Sequence, residues 1–171
     1  MKRNKGMGMI QLIVMILFII LIVATIVYFV RIQYHEARIE TIKTDMLQVQ
    51  WKIKDYIDKQ TVKGEEKQYL GTKLSEMRND SILQEFLSNN ILSESEYEKY
   101  YVLKDENLAT AGLEITNYQD SYFIINYETY EVIVSKGCKY SEKEILYKLS
   151  DIIAKTNDEA NIVVNETNIE E

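Results

Sequence analysis

The chain has 171 residues and a formal net charge of −7, with one histidine, one cysteine and no proline. All 27 acidic residues and 17 of the 20 basic ones follow residue 30, so that part of the chain carries a charge near −10. This acidity disfavours nucleic acid and anionic lipid headgroups as partners, because both require a basic surface. A single histidine cannot build a His cluster, and the sequence has no G-x-S-x-G, H-E-x-x-H, C-x-x-C or P-loop pattern. We therefore expect no enzyme, no cofactor and no metal site.

The N-terminal stretch predicts a membrane-spanning helix. Residues 7–30 carry no charge, and residues 12–30 are almost entirely Leu, Ile, Val, Met and Phe. A helix rises ~1.5 Å per residue, so this run is long enough to cross a hydrocarbon core of about 30 Å. The cations Lys2, Arg3 and Lys5 precede it and predict a cytoplasmic N-terminus with an extracytoplasmic C-terminal part. A secretory signal peptide is disfavoured, because its apolar region would be only ~7–15 residues long and no A-x-A-like cleavage site follows.

The next stretch, residues 31–60, predicts an amphipathic continuation of that helix. No glycine or proline interrupts the chain between Gly8 and Gly64, and one helix is expected to run to about Gln60. Its second half should lie on a β-sheet, with a coiled coil as the alternative. His35 lies on the apolar stripe just past the predicted span and is expected to be a packed or an interfacial residue. The stripe has helical spacing and consists of Ile32, Ile39, Ile42, Met46, Val49, Ile53 and Ile57.

Residues 61–156 predict an α+β head with short elements. Residues 61–71 are polar and punctuated by glycine, which predicts a loop. Ser81 is predicted to cap a short helix. The apolar face of this helix would be formed by Ile82, Leu83, Phe86 and Leu87.

Further along the head, local signals predict two helical turns and a strand. Ser93 and Glu96 fit a capping box. Residues 100–103 have the character of a short strand, and residues 106–112 that of a helical turn ended by glycine.

The clearest β signal is a hairpin. Residues 122–126 and 131–135 are rich in β-branched and aromatic side chains, and four residues connect them. Tyr130 lies in this connection, where a tyrosine adopts a positive φ only at a cost. Residues 145–149 are a third strand candidate, and the acidic tail 157–171 is expected to be frayed or disordered.

Cys138 follows the predicted hairpin and has no intrachain cysteine partner. We expect it to be a small buried hydrophobe. An intermolecular disulfide is the alternative.

The N-terminus resembles the precursors of type IV pilins and pseudopilins: a short basic leader ends at Gly6, and an apolar helix runs into an amphipathic one. The resemblance implies that an aspartyl prepilin peptidase cuts between Gly6 and Met7 and methylates the new amino terminus at Met7. The fifth mature position, usually Glu in that family, is Gln11, and Tyr28 stands where a Pro is common.

Three further segments resemble a subgroup of pilin-like proteins from low-GC Gram-positive bacteria. They are RIETIKTDMLQVQWKIKDYI in the helix, NYETYEVI in the hairpin and YKLSDI near the end of the head. In the hairpin, Tyr130 replaces the turn glycine of that subgroup. The resemblance implies a pilin-like α+β fold, a long N-terminal helix packed on a small antiparallel sheet. It divides the chain into a leader (1–6), a transmembrane helix (7–30), its amphipathic continuation (31–60), a head (61–156) and a tail (157–171).

The function implied by the resemblance is structural. The chain would be a minor pilin or pseudopilin whose partners are the prepilin peptidase and, through the N-terminal helix, other subunits. Gln11 has three interpretations: a tolerated polar residue near the membrane interface, a subunit at a filament tip, or a protein that does not polymerise. The alternative function is an unprocessed, single-span anchor carrying an extracytoplasmic binding or scaffold module.

Overall fold

A computed structural model describes residues 8–115, 118, 120–141 and 143–157. The chain divides into two compact units after Arg38, and the long N-terminal helix contributes residues to both. The predicted leader 1–6 lies outside the described residues, as does the tail from residue 158. Asn157, predicted to begin that tail, is helical.

The N-terminal helix, α1, spans Met9–Lys63. It ends where Gly64 adopts a φ of 72°, and the Gly64 amide donates to the Thr61 carbonyl at 3.1 Å. Glycine reaches this left-handed conformation without a Cβ clash, so it terminates the helix. The predicted end near Gln60 is therefore three residues too early, and residues 61–63 are helical rather than looped.

The apolar stripe of α1 is buried from Ile39 onward, as predicted, through Ile42, Met46, Val49, Ile53 and Ile57. Ile32 lies at the start of the stripe, before the half that was predicted to lie on a sheet, and it is 39% exposed. Ile32 precedes Arg38 and belongs to the first unit, whereas the core of the second unit begins at Ile39. His35 is half-buried.

The second unit contains a five-stranded antiparallel sheet in which each strand pairs with its neighbours in the chain. The fold is thus α+β, a long N-terminal helix with a small antiparallel sheet. The strands are β1 (Thr72–Lys73), β2 (Tyr100–Leu103), β3 (Phe123–Asn126), β4 (Val132–Lys139) and β5 (Ile145–Lys148).

The predicted strand at 100–103 and the predicted hairpin are confirmed, and β3 pairs with β4 in the register Phe123↔Val134. Four strand boundaries differ from the predictions. β3 begins at Phe123 and β4 begins at Val132, each one residue later than predicted. β4 continues to Lys139, four residues past its predicted end, and β5 ends at Lys148 because residue 149 begins a helix, α4, described over 149–157. The two-residue β1 was not predicted.

Both faces of the sheet are covered. On β3, Phe123 and Ile125 face the stripe of α1, whereas Ile124 points to the opposite side, as the two-residue period of a strand requires. The opposite side is covered by the segment of residues 74–97, which includes the short helix α2 (Gln84–Ser88). Within the second unit the stripe therefore packs on a sheet, as predicted, and not in a coiled coil.

The turn before α2 corrects one prediction. Ser81 does not cap the helix; the carboxylate Oδ1 of Asp80 accepts the Ile82 amide at 2.9 Å, and α2 begins only at Gln84. Asp is as good a local acceptor as Ser, and here it stands one residue earlier.

Two other local predictions are confirmed. The Ser93 amide donates to Glu96 Oε2 at 2.8 Å, which is the return bond of a capping box. Helix α3 spans Asp105–Thr110, and Gly112 follows it with a φ of 79°. The Leu113 amide then donates to the Leu108 carbonyl at 2.9 Å and closes the helix end.

In the connection of the β3–β4 hairpin, Tyr130 adopts the positive φ that is costly for a residue other than glycine. Tyr130 has a φ of 56°, and its amide donates to the Asn126 carbonyl at 2.7 Å. Its own carbonyl accepts a hydrogen bond from Gln50 Nε2 at 2.8 Å. The half-buried ring packs against the core formed by α1 and the sheet. These contacts offset the cost of a left-handed non-glycine residue, on the order of 1–2 kcal/mol.

Cys138 is 2% exposed and lies in the core with the α1 stripe, which confirms the prediction of a buried residue. An intermolecular disulfide would require it to leave that core.

The loop glycines provide a matched test of the sheet edge. Gly64 and Gly71 both have positive φ, but a Cβ on Gly71 would overlap the Val102 carbonyl oxygen, whereas a Cβ on Gly64 meets open space. We expect Gly71→Ala to lower the free energy of unfolding by about 3 kcal/mol or more and Gly64→Ala by only about 1 kcal/mol. Urea unfolding of the full chain in detergent micelles measures both. If both substitutions lowered the free energy of unfolding equally, the close contact between Gly71 and the Val102 carbonyl of β2 would be contradicted.

Candidate functional site

The apolar part of α1 is the largest exposed hydrophobic surface of the described residues. Large apolar side chains from Met9 to Val30 are 46–80% exposed. The chain has one described helix, near its N-terminus, that is long and apolar enough to cross a membrane. Thr25, a polar residue in this stretch, donates from its hydroxyl to the Leu21 carbonyl at 2.8 Å and so needs no other partner.

The predicted processing residues, Gly6 and Met7, lie outside the described residues, which begin at Gly8. Gln11 is described. Its Oε1 accepts a hydrogen bond from the Gly8 amide at 3.2 Å. The first amides of a helix lack intrahelical acceptors, so the Gln11 side chain supplies one within its own chain. The sequence alone does not predict this bond, because no capping residue fixes the helix start at Met9.

Tyr28, the other departure from the pilin pattern, is 66% exposed and makes an edge-to-face contact with Phe29, with ring centroids 6.4 Å apart. Aromatic side chains favour the ends of membrane spans, where one side is apolar and the other polar. The position is consistent with the end of a span.

In the second unit, Tyr127 anchors the loop that precedes β1. Its hydroxyl donates to the Leu70 carbonyl at 2.8 Å and accepts the Leu70 amide at 2.9 Å. Tyr69 stacks on the Tyr127 ring with centroids 4.4 Å apart, and Tyr101 meets it edge-on at 5.1 Å. Burial raises the pKa of the Tyr127 hydroxyl well above its usual range.

Gln60 anchors the same loop from the helix side. Its side chain is buried, and its Oε1 accepts the Gln68 amide at 2.7 Å. This role was not predicted, although the sequence carries a signal for it. Gln60 follows Ile57 by three residues and so places a polar side chain at a stripe position. An amide on an apolar stripe needs a specific partner, and here the partner is a loop backbone.

The described residues contain no cluster of three or more His, Cys, Asp or Glu side chains able to hold a metal ion. Surface carboxylates instead form isolated exposed ion pairs, such as Lys73 with Glu98 at 3.1 Å and Lys99 with Glu128 at 3.2 Å. Such pairs contribute little to stability.

No protein-family model, no curated protein and no solved structure matches this chain.

The two hydrogen bonds between the Tyr127 hydroxyl and the Leu70 backbone should contribute to stability in a pH-dependent way. Tyr127→Phe leaves the Leu70 amide and carbonyl without their hydroxyl partner and should lower the free energy of unfolding by about 1–3 kcal/mol at pH 7. Because the folded pKa of Tyr127 is raised, its contribution is complete below the ordinary tyrosine pKa of about 10 and is lost as the pH rises above it. The gap between wild type and variant should therefore narrow in alkaline urea titrations.

Tyr34→Phe is the matched control, since Tyr34 is 74% exposed and should change stability little at either pH. If Tyr127→Phe were as stable as wild type at pH 7, the stabilising role of the hydrogen bonds between Tyr127 and Leu70 would be contradicted.

Proposed function

We propose that this protein is a type IV pilin-like subunit, a minor pilin or pseudopilin, that is stored in the membrane and assembled through α1. The observation that supports the proposal is the division of one helix into two kinds of surface. Up to Val30 its apolar side chains are exposed, and from Ile39 its apolar stripe is buried on a sheet. This is the arrangement that the resemblance implies.

The physical logic is that one apolar helix serves in two surroundings. In lipid, a helix satisfies its own backbone hydrogen bonds, and no charged residue lies between Gly8 and Val30. In a filament, the same side chains pack against neighbouring apolar helices, which replace the lipid contacts. The subunit can therefore leave the bilayer without exposing its span to water.

The proposed orientation and processing follow from the leader. Lys2, Arg3 and Lys5 hold the N-terminus on the cytoplasmic side, and the head lies outside. The prepilin peptidase then cuts between Gly6 and Met7 and methylates the Met7 amine. The other partners are pilin or pseudopilin subunits that contact the apolar part of α1.

Gln11 favours a minor subunit within this proposal. A carboxylate at this position would neutralise the amine of a neighbouring subunit, whereas an amide donates and accepts hydrogen bonds without charge. The Gln11 oxygen is also engaged by Gly8 of its own chain. A subunit at a filament tip has no subunit above it to match, so it needs no carboxylate there.

A second candidate is an unprocessed single-span anchor that carries an extracytoplasmic binding or scaffold module. The exposed apolar helix from Met9 to Val30 supports this candidate equally well. The two differ in the fate of residues 1–6.

The first test is Gly6→Leu. We expect this substitution to block processing, because a bulky side chain would not fit where the peptidase accepts glycine, and full-length precursor should accumulate in the membrane. An immunoblot of membranes from cells co-expressing a prepilin peptidase separates the two forms. Gly8→Leu is the matched control, since nothing lies within 4 Å of a Cβ at Gly8. Normal maturation of Gly6→Leu would count against the pilin proposal.

The second test is Gln11→Glu. A carboxylate restores charge pairing with the amine of a neighbouring subunit, so the variant should enter sheared filament fractions in larger amounts than wild type. Gln33→Glu makes the same chemical change beyond the span and should leave incorporation unaltered. If Gln11→Glu entered filaments in equal or lower amounts than wild type, the proposed position at a filament tip would be contradicted.

A further inference from the structure

The outer face of α1 within the second unit carries a strip of uncharged residues. This outer strip consists of Thr41, Thr44, Leu47, Gln48 and Trp51, and each of these residues is exposed. Positions three or four residues apart share one face of a helix, and these five lie on the face opposite the buried apolar stripe. The outer strip lies beyond residues 9–30, through which assembly is proposed.

Leu47 and Trp51 form an apolar patch within the outer strip. They stand one helical turn apart, and their exposed fractions are 38% and 62%. Lys52 Nζ lies 5.4 Å from the Trp51 ring centroid, and a Cβ on Gly112 would meet the same ammonium at 3.9 Å. This lysine therefore extends toward α3, and much of the indole remains open to solvent. Tryptophan is among the residues that contribute most to protein–protein binding when a partner covers them.

The charged side chains on this stretch of α1 are paired within the chain. Between residues 41 and 51 only Lys43 and Asp45 are charged. Lys43 Nζ donates to Thr156 Oγ1 at 3.5 Å and pairs with Glu40 at 2.7 Å, and Asp45 Oδ2 accepts the Tyr118 hydroxyl at 3.0 Å. An uncharged strip on an acidic part of the chain favours an uncharged partner over nucleic acid or an anionic lipid surface.

The spacing of the outer strip indicates that this partner is a helix. Thr41, Thr44, Gln48 and Trp51 follow one another by three, four and three residues, the steps by which one helix packs along another. The two threonines are small and allow two helix backbones to approach closely.

An uncharged helix of this kind is present in the subunits themselves. Residues 7–30 carry no charge, and the large apolar side chains from Met9 to Val30 are 46–80% exposed. A span that leaves the bilayer needs apolar cover from protein, because its side chains would otherwise face water.

We propose that the outer strip binds the apolar N-terminal helix of a neighbouring pilin-like subunit. This inference rests on the proposed function and adds a second contact surface to it. Leu47 and Trp51 cover apolar side chains of the neighbouring helix. The uncharged residues between and beside them let that helix approach without burying an unpaired charge.

The test compares the filament incorporation of a Leu47→Gln, Trp51→Gln double variant with that of wild type, in cells that carry the prepilin peptidase and the assembly machinery. We expect the double variant to enter sheared filament fractions in amounts lower by at least about fivefold, because the neighbouring helix loses its apolar cover. Trp51→Phe keeps an aromatic side chain and should retain most of the incorporation. Ile145→Gln removes an apolar side chain of similar exposure (48%) from β5 and should be incorporated as wild type is.

Two further measurements separate a failure of this inference from a failure of the proposed function. The intact mass of the membrane-extracted protein reports processing, and urea unfolding in detergent micelles reports folding. The double variant should match wild type in both, since both side chains are exposed. If it does not fold, Trp51→Gln alone is compared with wild type.

The outcomes differ accordingly. Wild type that is neither processed nor incorporated would contradict the proposed function and this inference with it. A processed, folded variant that is incorporated as well as wild type would overturn this inference alone.

A photoreactive benzoylphenylalanine in place of Trp51 identifies the partner directly. Mass spectrometry of the crosslinked peptides should locate the bond in the apolar N-terminal helix of a pilin-like subunit. The absence of a crosslink, or crosslinks only to the head of a subunit or to a protein of another kind, would overturn the inference.

Discussion

The head of this protein depends on the burial of one helical stripe against one face of a five-stranded sheet. Met46, Val49 and Ile53 are fully buried there. Burying a large apolar side chain stabilises a fold by roughly 1.5–3 kcal/mol, so these three positions contribute strongly to the free energy of unfolding of the second unit. The opposite face of the sheet is closed by residues 74–97, which bring Leu74, Leu83 and Phe86 against it. The sheet is consequently sandwiched, and its loops are positioned by contacts with the helix.

Two glutamine side chains on α1 fix the positions of two loops by hydrogen bonds to their backbones. Gln50 bonds the Tyr130 carbonyl in the hairpin connection, and Gln60 bonds the Gln68 amide in the loop before β1. Each replaces solvent at a backbone group beside the core, where an unmade hydrogen bond costs about 1–3 kcal/mol. Tyr130 can thus hold a conformation that usually belongs to glycine.

The sequence predicts well what depends on local patterns. The stripe from Ile39 to Ile57, strand β2, the Ser93–Glu96 capping box and the glycine stop at Gly112 all follow from spacing within a few residues, and all are present. It predicts poorly what depends on partners far along the chain. The conformation of Tyr130 rests on Gln50, eighty residues away, and the two-residue β1 exists only because β2 pairs with it. The choice of Asp80 over Ser81 as the turn acceptor was locally ambiguous, since both side chains favour such turns.

We propose that the apolar part of α1 belongs to a processed, pilin-like subunit. The most direct measurement is the intact mass of the protein extracted from membranes of cells that co-express a prepilin peptidase. We expect a mass that lacks Met1–Gly6 and carries one added methyl group. A full-length, unmethylated mass would contradict it and would leave a permanent single-span anchor as the function of the helix.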